Sequence, residues 1–268
     1  MSKITTWTAL LAACACGNAL AISNPDGLLT ASSAADLDAA AEDGKLVFGR
    51  GMLKWTGGDD AWTGDVTLAM PSNTELTVNV TDPNATLTIN GATAQANNGS
   101  FVKLGPGTLE LTGGGRLGKE YPWLASGYWG LLGKKEGFFA NQDPYWDETT
   151  GIATNGGYTG FTVAEGTLRL NAPGKTFNLA MLPWVGDRQQ TDSLLDITNH
   201  TTVVSDGGWC SISRGTGTTA NDATPVVRVT DGSSLSVSSL CMGNAVGIGS
   251  TYYSRSRIEL DSGKMSVG

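Results

Sequence analysis

An internal repeat near the C-terminus restricts the fold of this chain more than any other sequence feature. Leu195, Val227 and Ile258 each begin the same pattern: an apolar-x-apolar strand, a polar turn and a second short apolar strand. The three segments are spaced by 32 and 31 residues. Repeats of this length with two or three short strands are typical of solenoids, in which each coil buries its apolar face against the next. We therefore predict parallel coils stacked about 4.8 Å apart.

The composition agrees with stacked coils. Glycine accounts for 37 of 268 residues, roughly twice its ordinary share, whereas charged residues make up only 16%. Tight turns between short strands need Gly, Asn and Asp. Like charges stacked on successive coils repel each other, so we expect Thr, Ser and Asn on the outer faces.

Short stretches that alternate apolar and polar residues recur along the rest of the chain. They predict an all-β fold: a parallel β-helix with a short N-terminal capping helix and one long aromatic-rich insertion. The helix is predicted over residues 32–43, with Ser33 as its N-cap and Gly44 at its end. The predicted strands alternate apolar and polar residues and contain Val66–Met70, Leu76–Val80, Leu87–Ile89, Leu109–Leu111, Leu168–Leu170 and Phe177–Met181.

Charge and motifs exclude several classes of function. The net charge of −8 and the pI of about 4.6 argue against a nucleic-acid partner, which needs a basic surface. No apolar run reaches the roughly 18–20 residues of a membrane span. No cofactor or metal is predicted, because the sequence lacks a phosphate loop, a dinucleotide fingerprint, an EF-hand loop and a glycine–aspartate calcium repeat.

Residues 1–21 have the pattern of a secretory signal peptide. Lys3 supplies the positive charge, an apolar stretch follows, and Ala19 and Ala21 fit the −3 and −1 positions of a cleavage site. The sequence LAAC ending at Cys14 also matches a bacterial lipobox, so lipoprotein processing is the alternative. We predict a signal peptide (1–21), an N-terminal cap segment (22–46) and a β-helix (47–268).

Two cysteines remain after removal of the signal peptide, and this is too few for a disulfide framework or a zinc site. Cys210 and Cys241 are 31 residues apart, which is one repeat. We therefore expect them to stack at one position of successive coils, either as an inward-facing ladder or as a disulfide.

Two segments resemble a known repeat family. Residues 101–113 have the sequence FVKLGPGTLELTG, and residues 155–170 have the sequence NGGYTGFTVAEGTLRL. They are similar to the two halves of the autotransporter-associated β-strand repeat, K-x-G-x-G-T-L-x-L-T-G and Y-T-G-x-T-x-V-x-x-G-T-L-x-L. Residues 114–154 separate the halves here, and this insertion departs from the family pattern.

The resemblance implies a right-handed parallel β-helix on the bacterial cell surface or secreted from it, associated with the outer membrane, with a structural or adhesive role. Passengers of this family are often followed by a membrane anchor. The repeat stops inside a predicted strand at Gly268, so we expect a fragment that is truncated at its C-terminus. Membrane contact is then expected only through that missing anchor or through a lipidated Cys14.

The insertion contains eight of the 20 aromatic residues of the chain. Such side chains stack on sugar rings, which makes a surface glycan or a host or cell-surface protein the expected partner. The alternative is an insertion that packs its own aromatic side chains against the β-helix. The candidate ligand-binding residues are Tyr121, Trp123, Tyr128, Trp129, Tyr145 and Trp146.

Catalysis has little support in the sequence. Asp59 and Asp60 form a carboxylate pair of the kind used in glycoside hydrolysis, but a Gly-Asp-Asp turn is the simpler interpretation. His200, the single histidine, lies where the other repeats have Gly232 and Gly263, so a turn residue is expected. The alternative to a structural protein is a β-helix that binds or cleaves carbohydrate. That alternative requires two or three carboxylates converging on one face.

Overall fold

The computed structural model describes most of the chain in ten segments. These are residues 24–63, 67–70, 74–95, 99–117, 161–179, 183–187, 192–205, 210–215, 224–245 and 255–268. Within these segments the chain forms 22 β-strands and one α-helix. All pairs between strands are parallel, and the chain is a parallel β-helix, as predicted.

Each coil contributes one strand to each of three sheets, which we call A, B and C. Sheet A contains β1 (Asn24–Ala31), β2 (Lys45–Trp55), β5 (Thr74–Val80), β8 (Gly99–Leu104), β11 (Phe161–Val163), β14 (Pro183–Asp187), β17 (Cys210–Gly215) and β20 (Leu240–Ala245). Sheet B contains the beginning of β2 together with β4 (Thr67–Met70), β7 (Ala92–Gln95), β10 (Gly115–Leu117), β13 (Thr176–Leu179), β16 (Thr202–Ser205), β19 (Ser234–Val237) and β22 (Lys264–Val267). Sheet C contains β3 (Asp60–Trp62), β6 (Thr86–Ile89), β9 (Thr108–Leu111), β12 (Gly166–Asn171), β15 (Ser193–Thr198), β18 (Pro225–Thr230) and β21 (Arg257–Asp261).

The register of sheet C confirms the repeat found in the sequence. Leu195 pairs with Val227, and Val227 pairs with Ile258. The two G-T-L-x-L segments also pair in register, with Thr108 opposite Thr167. Gly166 begins the second of these segments at φ 65°, and a Cβ at this position would collide with the carbonyl oxygen of Gly105 in the coil below. Glycine is therefore required where the coils approach each other most closely.

The core lies inside the coils and is built from stacked, identical positions. Leucine, isoleucine and valine occupy the inward positions of sheet C from β6 to β18. In sheet A, Phe101 stacks on Phe161 with ring centroids 6.1 Å apart and an interplanar angle of 13°. Trp55 and Trp62 fill the N-terminal coil and are at most 1% exposed. Stacked aliphatic and aromatic columns of this kind bury apolar area that a single coil could not bury alone.

The helix α1 (Ala34–Ala40) occupies the position in the first coil that a sheet C strand would otherwise occupy, and it packs against β3 and β1. Leu37 enters the core, and Asp38 accepts a hydrogen bond of 2.7 Å from the indole nitrogen of Trp62. Ser33 is the N-cap, as predicted, and forms a capping box with Asp36. The helix thus covers the first open edge of sheet C.

The predicted end of the helix was wrong. The helix ends with Ala41 as its C-cap, because Asp43 and Gly44 adopt positive φ values in a tight turn. Mutual backbone hydrogen bonds of 3.0 and 2.8 Å between Glu42 and Lys45 close that turn. The turn redirects the chain into β2.

The predicted cysteine stack was also wrong. In the register of β17 and β20, Cys210 pairs with Leu240, and Cys241 pairs with Ser211. A shift of one residue places the two side chains on opposite faces of the sheet, because strand side chains alternate. Both thiols are free: Cys210 is buried in the core and Cys241 is partly exposed.

Within the described segments, no helix has the length and apolar composition needed to cross a membrane.

Candidate functional site

The outer face of sheet C has a column of alternating charge at its centre. Glu110, Arg169, Asp196, Arg228 and Glu259 occupy the same register position in five successive coils. Each is the middle residue of an apolar-x-apolar strand, so it points outward. In the coil before Glu110 the same position holds Thr88, whereas these five coils carry charged residues in place of the expected Thr, Ser and Asn. We call the five charged residues the charge ladder. Opposite charges in directly opposed positions attract, so the ladder avoids the repulsion expected for stacked charges.

Ion pairs connect most of the charge ladder. Arg169 lies 3.3 Å from Glu110 and 3.0 Å from Asp196, and Arg228 lies 2.7 Å from Glu259. The Asp196 side chain is only 8% exposed, whereas that of Arg169 is 37% exposed. The hydrogen bond from Arg228 lowers the pKa of Glu259. Arginine therefore neutralises the carboxylates of this face and holds adjacent coils together.

Replacing Arg169 with methionine is expected to lower the free energy of unfolding by about 1–2 kcal/mol, because the buried Asp196 carboxylate loses its partner. The matched control is Arg257→Met. The Arg257 side chain is 61% exposed and pairs with Glu259 at the surface, so its loss should change stability by about 0.5 kcal/mol or less. Urea denaturation of both variants measures the difference. Equal effects would show that the ladder contributes nothing beyond ordinary surface pairs.

The outer face of sheet B has the predicted composition. Thr176, Thr202, Ser234 and Lys264 form one column, and the Ser266 hydroxyl donates a 3.0 Å hydrogen bond to the Ser236 hydroxyl in the preceding coil. Most of these side chains are exposed or half-buried. Small hydroxyl side chains can stack and bond between coils without repulsion.

A groove of about 470 Å³ follows the corner between sheets A and C. Its lining includes the aliphatic side chains of Leu194 and Val226, the hydroxyl residue Thr167, and the acidic residues Glu165 and Asp192. Glu165 and Asp192 precede β12 and β15, and the pairing of Gly166 with Ser193 brings them to neighbouring coils. The groove is thus an elongated surface with aliphatic side chains and an acidic rim, and it is the candidate binding site among the described residues.

The carboxylates of the groove already have structural partners. Glu165 accepts a 3.1 Å hydrogen bond from the amide of Gly105, and Asp192 accepts one of 2.7 Å from the amide of Thr224. Three or more side chains able to hold a metal ion do not come together anywhere in the described segments. The groove can therefore hold a ligand by van der Waals contact and hydrogen bonding, whereas its carboxylates are engaged in holding turns.

The carboxylate pair Asp59 and Asp60 is structural. Asp59 accepts a 2.8 Å hydrogen bond from the amide of Thr86 in the next coil. Asp60 accepts 2.7 and 2.8 Å hydrogen bonds from the amides of Ala34 and Ala61. Asp60 stands in register with the core residue Leu87, and from there it anchors the first residue of α1. The Gly-Asp-Asp turn interpretation accounts for both residues.

His200 lies in a turn, as predicted from the repeat. Asn199 and His200 have φ values of 58° and 57°, and the amide of His200 donates a 2.9 Å hydrogen bond to the carbonyl of Asp231 in the next coil. A Cβ at Gly232 would lie 2.5 Å from Nδ1 of His200, so the imidazole covers that glycine. The His200 side chain is exposed. Its described contacts are those of a turn residue that packs on the turn of the next coil.

Replacing His200 with glycine is expected to raise the free energy of unfolding by about 1 kcal/mol, because glycine adopts positive φ without the steric cost of a Cβ. His200→Ala keeps the Cβ and is the control, for which no gain is expected. Urea midpoints of the two variants separate the backbone effect from loss of the imidazole. A gain for alanine equal to that for glycine would contradict the backbone explanation.

Lys103 is a fully buried lysine inside the coil. Its Nζ donates hydrogen bonds of 2.8, 2.7 and 3.1 Å to the carbonyl oxygens of Leu104, Gly105 and Glu165. Burial lowers the pKa of Lys103 to about 7, and the Glu165 carboxylate opposes this shift. The lysine therefore joins the turns between sheets A and C in two successive coils. In the sequence, Lys103 is the lysine of the K-x-G-x-G-T-L motif.

The predicted aromatic site lies outside the described residues. Tyr121, Trp123, Tyr128, Trp129, Tyr145 and Trp146 all belong to residues 118–160, whose placement is not described. Gly115–Leu117, at the start of the predicted insertion (114–154), form strand β10 and pair with Phe177–Leu179.

Comparison with protein-family models, with curated proteins and with solved structures found no match.

Two features were not anticipated from the sequence. The charge ladder has a clear sequence signal, because its members occupy the middle position of aligned strands and alternate in sign. The role of Lys103 has a weaker signal: its motif is visible, but only the turn geometry brings three carbonyl groups to one ammonium group.

Proposed function

We propose that this chain is a structural or adhesive β-helix of the autotransporter passenger type, exported to the bacterial cell surface. The observation that carries the proposal is the chemistry of the outer faces. Charges on sheet C neutralise one another between coils, and sheet B carries Ser and Thr columns. Such surfaces serve to hold a stack together and to present a long face. The leader-like residues 1–21 and the two repeat halves support export.

Export is tested with an epitope-tagged full chain in a Gram-negative host. The proposal expects a mature protein that begins after Ala21 and is recovered outside the cytoplasm, in the periplasmic fraction or in the medium. Intact mass distinguishes this product from one lipidated at Cys14. A protein that keeps Met1 and stays in the cytoplasm would overturn the export part of the proposal.

A second candidate function, binding of an oligosaccharide, is supported by the groove at the A–C corner. Leu194 and Val226 provide aliphatic contact for a sugar face, and Glu165 and Asp192 provide acceptors for hydroxyl groups. Incubation with a panel of polysaccharides, followed by assays for new reducing ends and for bound glycan, separates the options. The structural proposal expects no cleavage. Cleavage that is lost in Glu165→Gln or Asp192→Asn would instead establish an enzyme.

A further inference from the structure

The two carboxylates of the groove at the A–C corner each keep one oxygen without a protein partner. Glu165 uses Oε2 to accept from the amide of Gly105, and Asp192 uses Oδ1 to accept from the amide of Thr224. Within the described segments, Oε1 of Glu165 and Oδ2 of Asp192 take part in no hydrogen bond or ion pair. The side chain of Glu165 is half-buried and that of Asp192 is exposed. Both oxygens therefore remain for a ligand.

The spacing of these two carboxylates suits one cation. Glu165 and Asp192 precede Gly166 and Ser193, which pair in adjacent strands of sheet C. Adjacent strands lie about 4.8 Å apart. An ammonium group donates hydrogen bonds of about 2.8 Å to carboxylate oxygens, so one ammonium group between the two coils can reach both residues. Two carboxylates that share one cation also repel each other less.

Hydroxyl groups of the groove are a second set of groups without partners. Ser193 lines the groove and is 2% exposed, and its hydroxyl has no hydrogen-bond partner in the structure. Thr167 and Thr224 also line the groove, and their hydroxyls have no partner among the described residues. A buried hydroxyl without a partner is uncommon and costs free energy. The groove thus offers several donors and acceptors to a ligand that itself carries hydroxyl groups.

The size and the far end of the groove fit an uncharged ring system attached to the cation. A volume of about 470 Å³ lies in the usual range for ligand sites. Thr224 and Arg228 both line it and are four residues apart on one strand, which corresponds to about 13 Å. Arg228 is paired with Glu259 at 2.7 Å, so the far end carries little net charge. Between the two ends, Val226 provides an aliphatic contact.

We propose that the groove binds an oligosaccharide that carries a protonated amino group, and that the ammonium group lies between Glu165 and Asp192. A neutral sugar leaves both carboxylates without a counter-charge, and an anionic sugar is repelled by them. The inference rests on the second candidate function, oligosaccharide binding, and names the class of oligosaccharide.

The first experiment compares two ligands on the unmodified full chain by titration calorimetry. The tetrasaccharide of glucosamine and that of N-acetylglucosamine have the same rings and differ in that acetylation removes the positive charge. The glucosamine oligomer should bind at least about tenfold more tightly, and added salt should reduce this difference. Equal affinity, or tighter binding of the acetylated oligomer, would overturn the inference but leave oligosaccharide binding standing. No binding of any sugar would overturn both.

The second experiment repeats the titration with variants. Glu165→Gln and Asp192→Asn retain a side-chain oxygen for the amides of Gly105 and Thr224 but lose the charge. Each should weaken binding of the glucosamine oligomer about tenfold and leave the acetylated oligomer unaffected. Glu42→Gln is the matched control, because it removes one charge from an exposed turn before β2 and should change nothing.

Two outcomes of the second experiment would contradict the proposal. Equal weakening in all three variants would show general attraction to an acidic chain. Tighter binding of a lysine tetrapeptide than of the glucosamine tetrasaccharide would show that the groove recognises a cationic protein segment. Urea denaturation of each variant establishes that a loss of binding does not reflect a loss of folding.

Discussion

Lys103→Met is expected to lower the free energy of unfolding by about 3 kcal/mol at pH 7. The lysine ammonium group has three donors, and the carbonyl groups of Leu104, Gly105 and Glu165 accept all three. Methionine fills a similar volume but leaves these carbonyls without a donor, at a cost of roughly 1–3 kcal/mol for each buried group. Burial of the apolar methionine offsets part of this cost.

Equilibrium urea denaturation measures the effect, and Lys175→Met is the matched control. Lys175 is exposed, and its Nζ lies 3.4 Å from the carbonyl oxygen of Thr112, so its replacement should change stability by about 0.5 kcal/mol or less. A Lys103→Met protein as stable as the control would mean that the desolvation cost of the ammonium group equals the benefit of its hydrogen bonds.

Stability is also expected to rise with pH between 7 and 9, by about 1.4 kcal/mol per pH unit from Lys103 alone. The ordinary pKa of 10.5 applies to the unfolded chain, whereas burial lowers the pKa of Lys103 to about 7 in the folded chain. The unfolded chain therefore binds this proton more tightly, and raising the pH favours folding. The contribution is complete above pH 10.5 and is lost as the pH falls to 7.

Cys210 opposes this trend at higher pH. Burial raises the pKa of its thiol from 9.0 to about 12, so above pH 9 the unfolded chain loses a proton that the folded chain keeps. The two slopes have opposite signs and should cancel between about pH 9 and 10.5. Urea midpoints at pH 7, 8 and 9 for the wild type and Lys103→Met isolate the lysine. Parallel pH profiles for the two proteins would contradict the assignment.

The coil architecture could be predicted because the repeat itself encodes it. Once Leu195, Val227 and Ile258 occupy equivalent positions, the alternation of strand side chains determines which residues enter the core. The N-cap Ser33 was predictable because helix capping depends on residues close in sequence. The turn position of His200 was predictable because the repeat aligns it with Gly232 and Gly263. The right-handed winding of the β-helix, expected from the family resemblance, stays a prediction.

The candidate site was less predictable because it depends on register between coils that differ in length. Cys210 and Cys241 are one repeat apart, yet their coils pair with a shift of one residue, and this puts the thiols on opposite faces. The same dependence governs Glu165 and Asp192, which become neighbours only through the pairing of Gly166 with Ser193.

The sequence by itself determined that this chain is a stack of short parallel strands, with apolar residues inside and glycine, asparagine and aspartate in the turns. These properties follow from local periodicity. Only the tertiary structure decided that Arg169 bridges two carboxylates, that Lys103 joins two corners and that Val102 and Thr162 are buried on the outer face of sheet A. Each of these depends on groups that are distant in sequence and meet because the coils stack, and the distance between them is set by the length of every intervening turn.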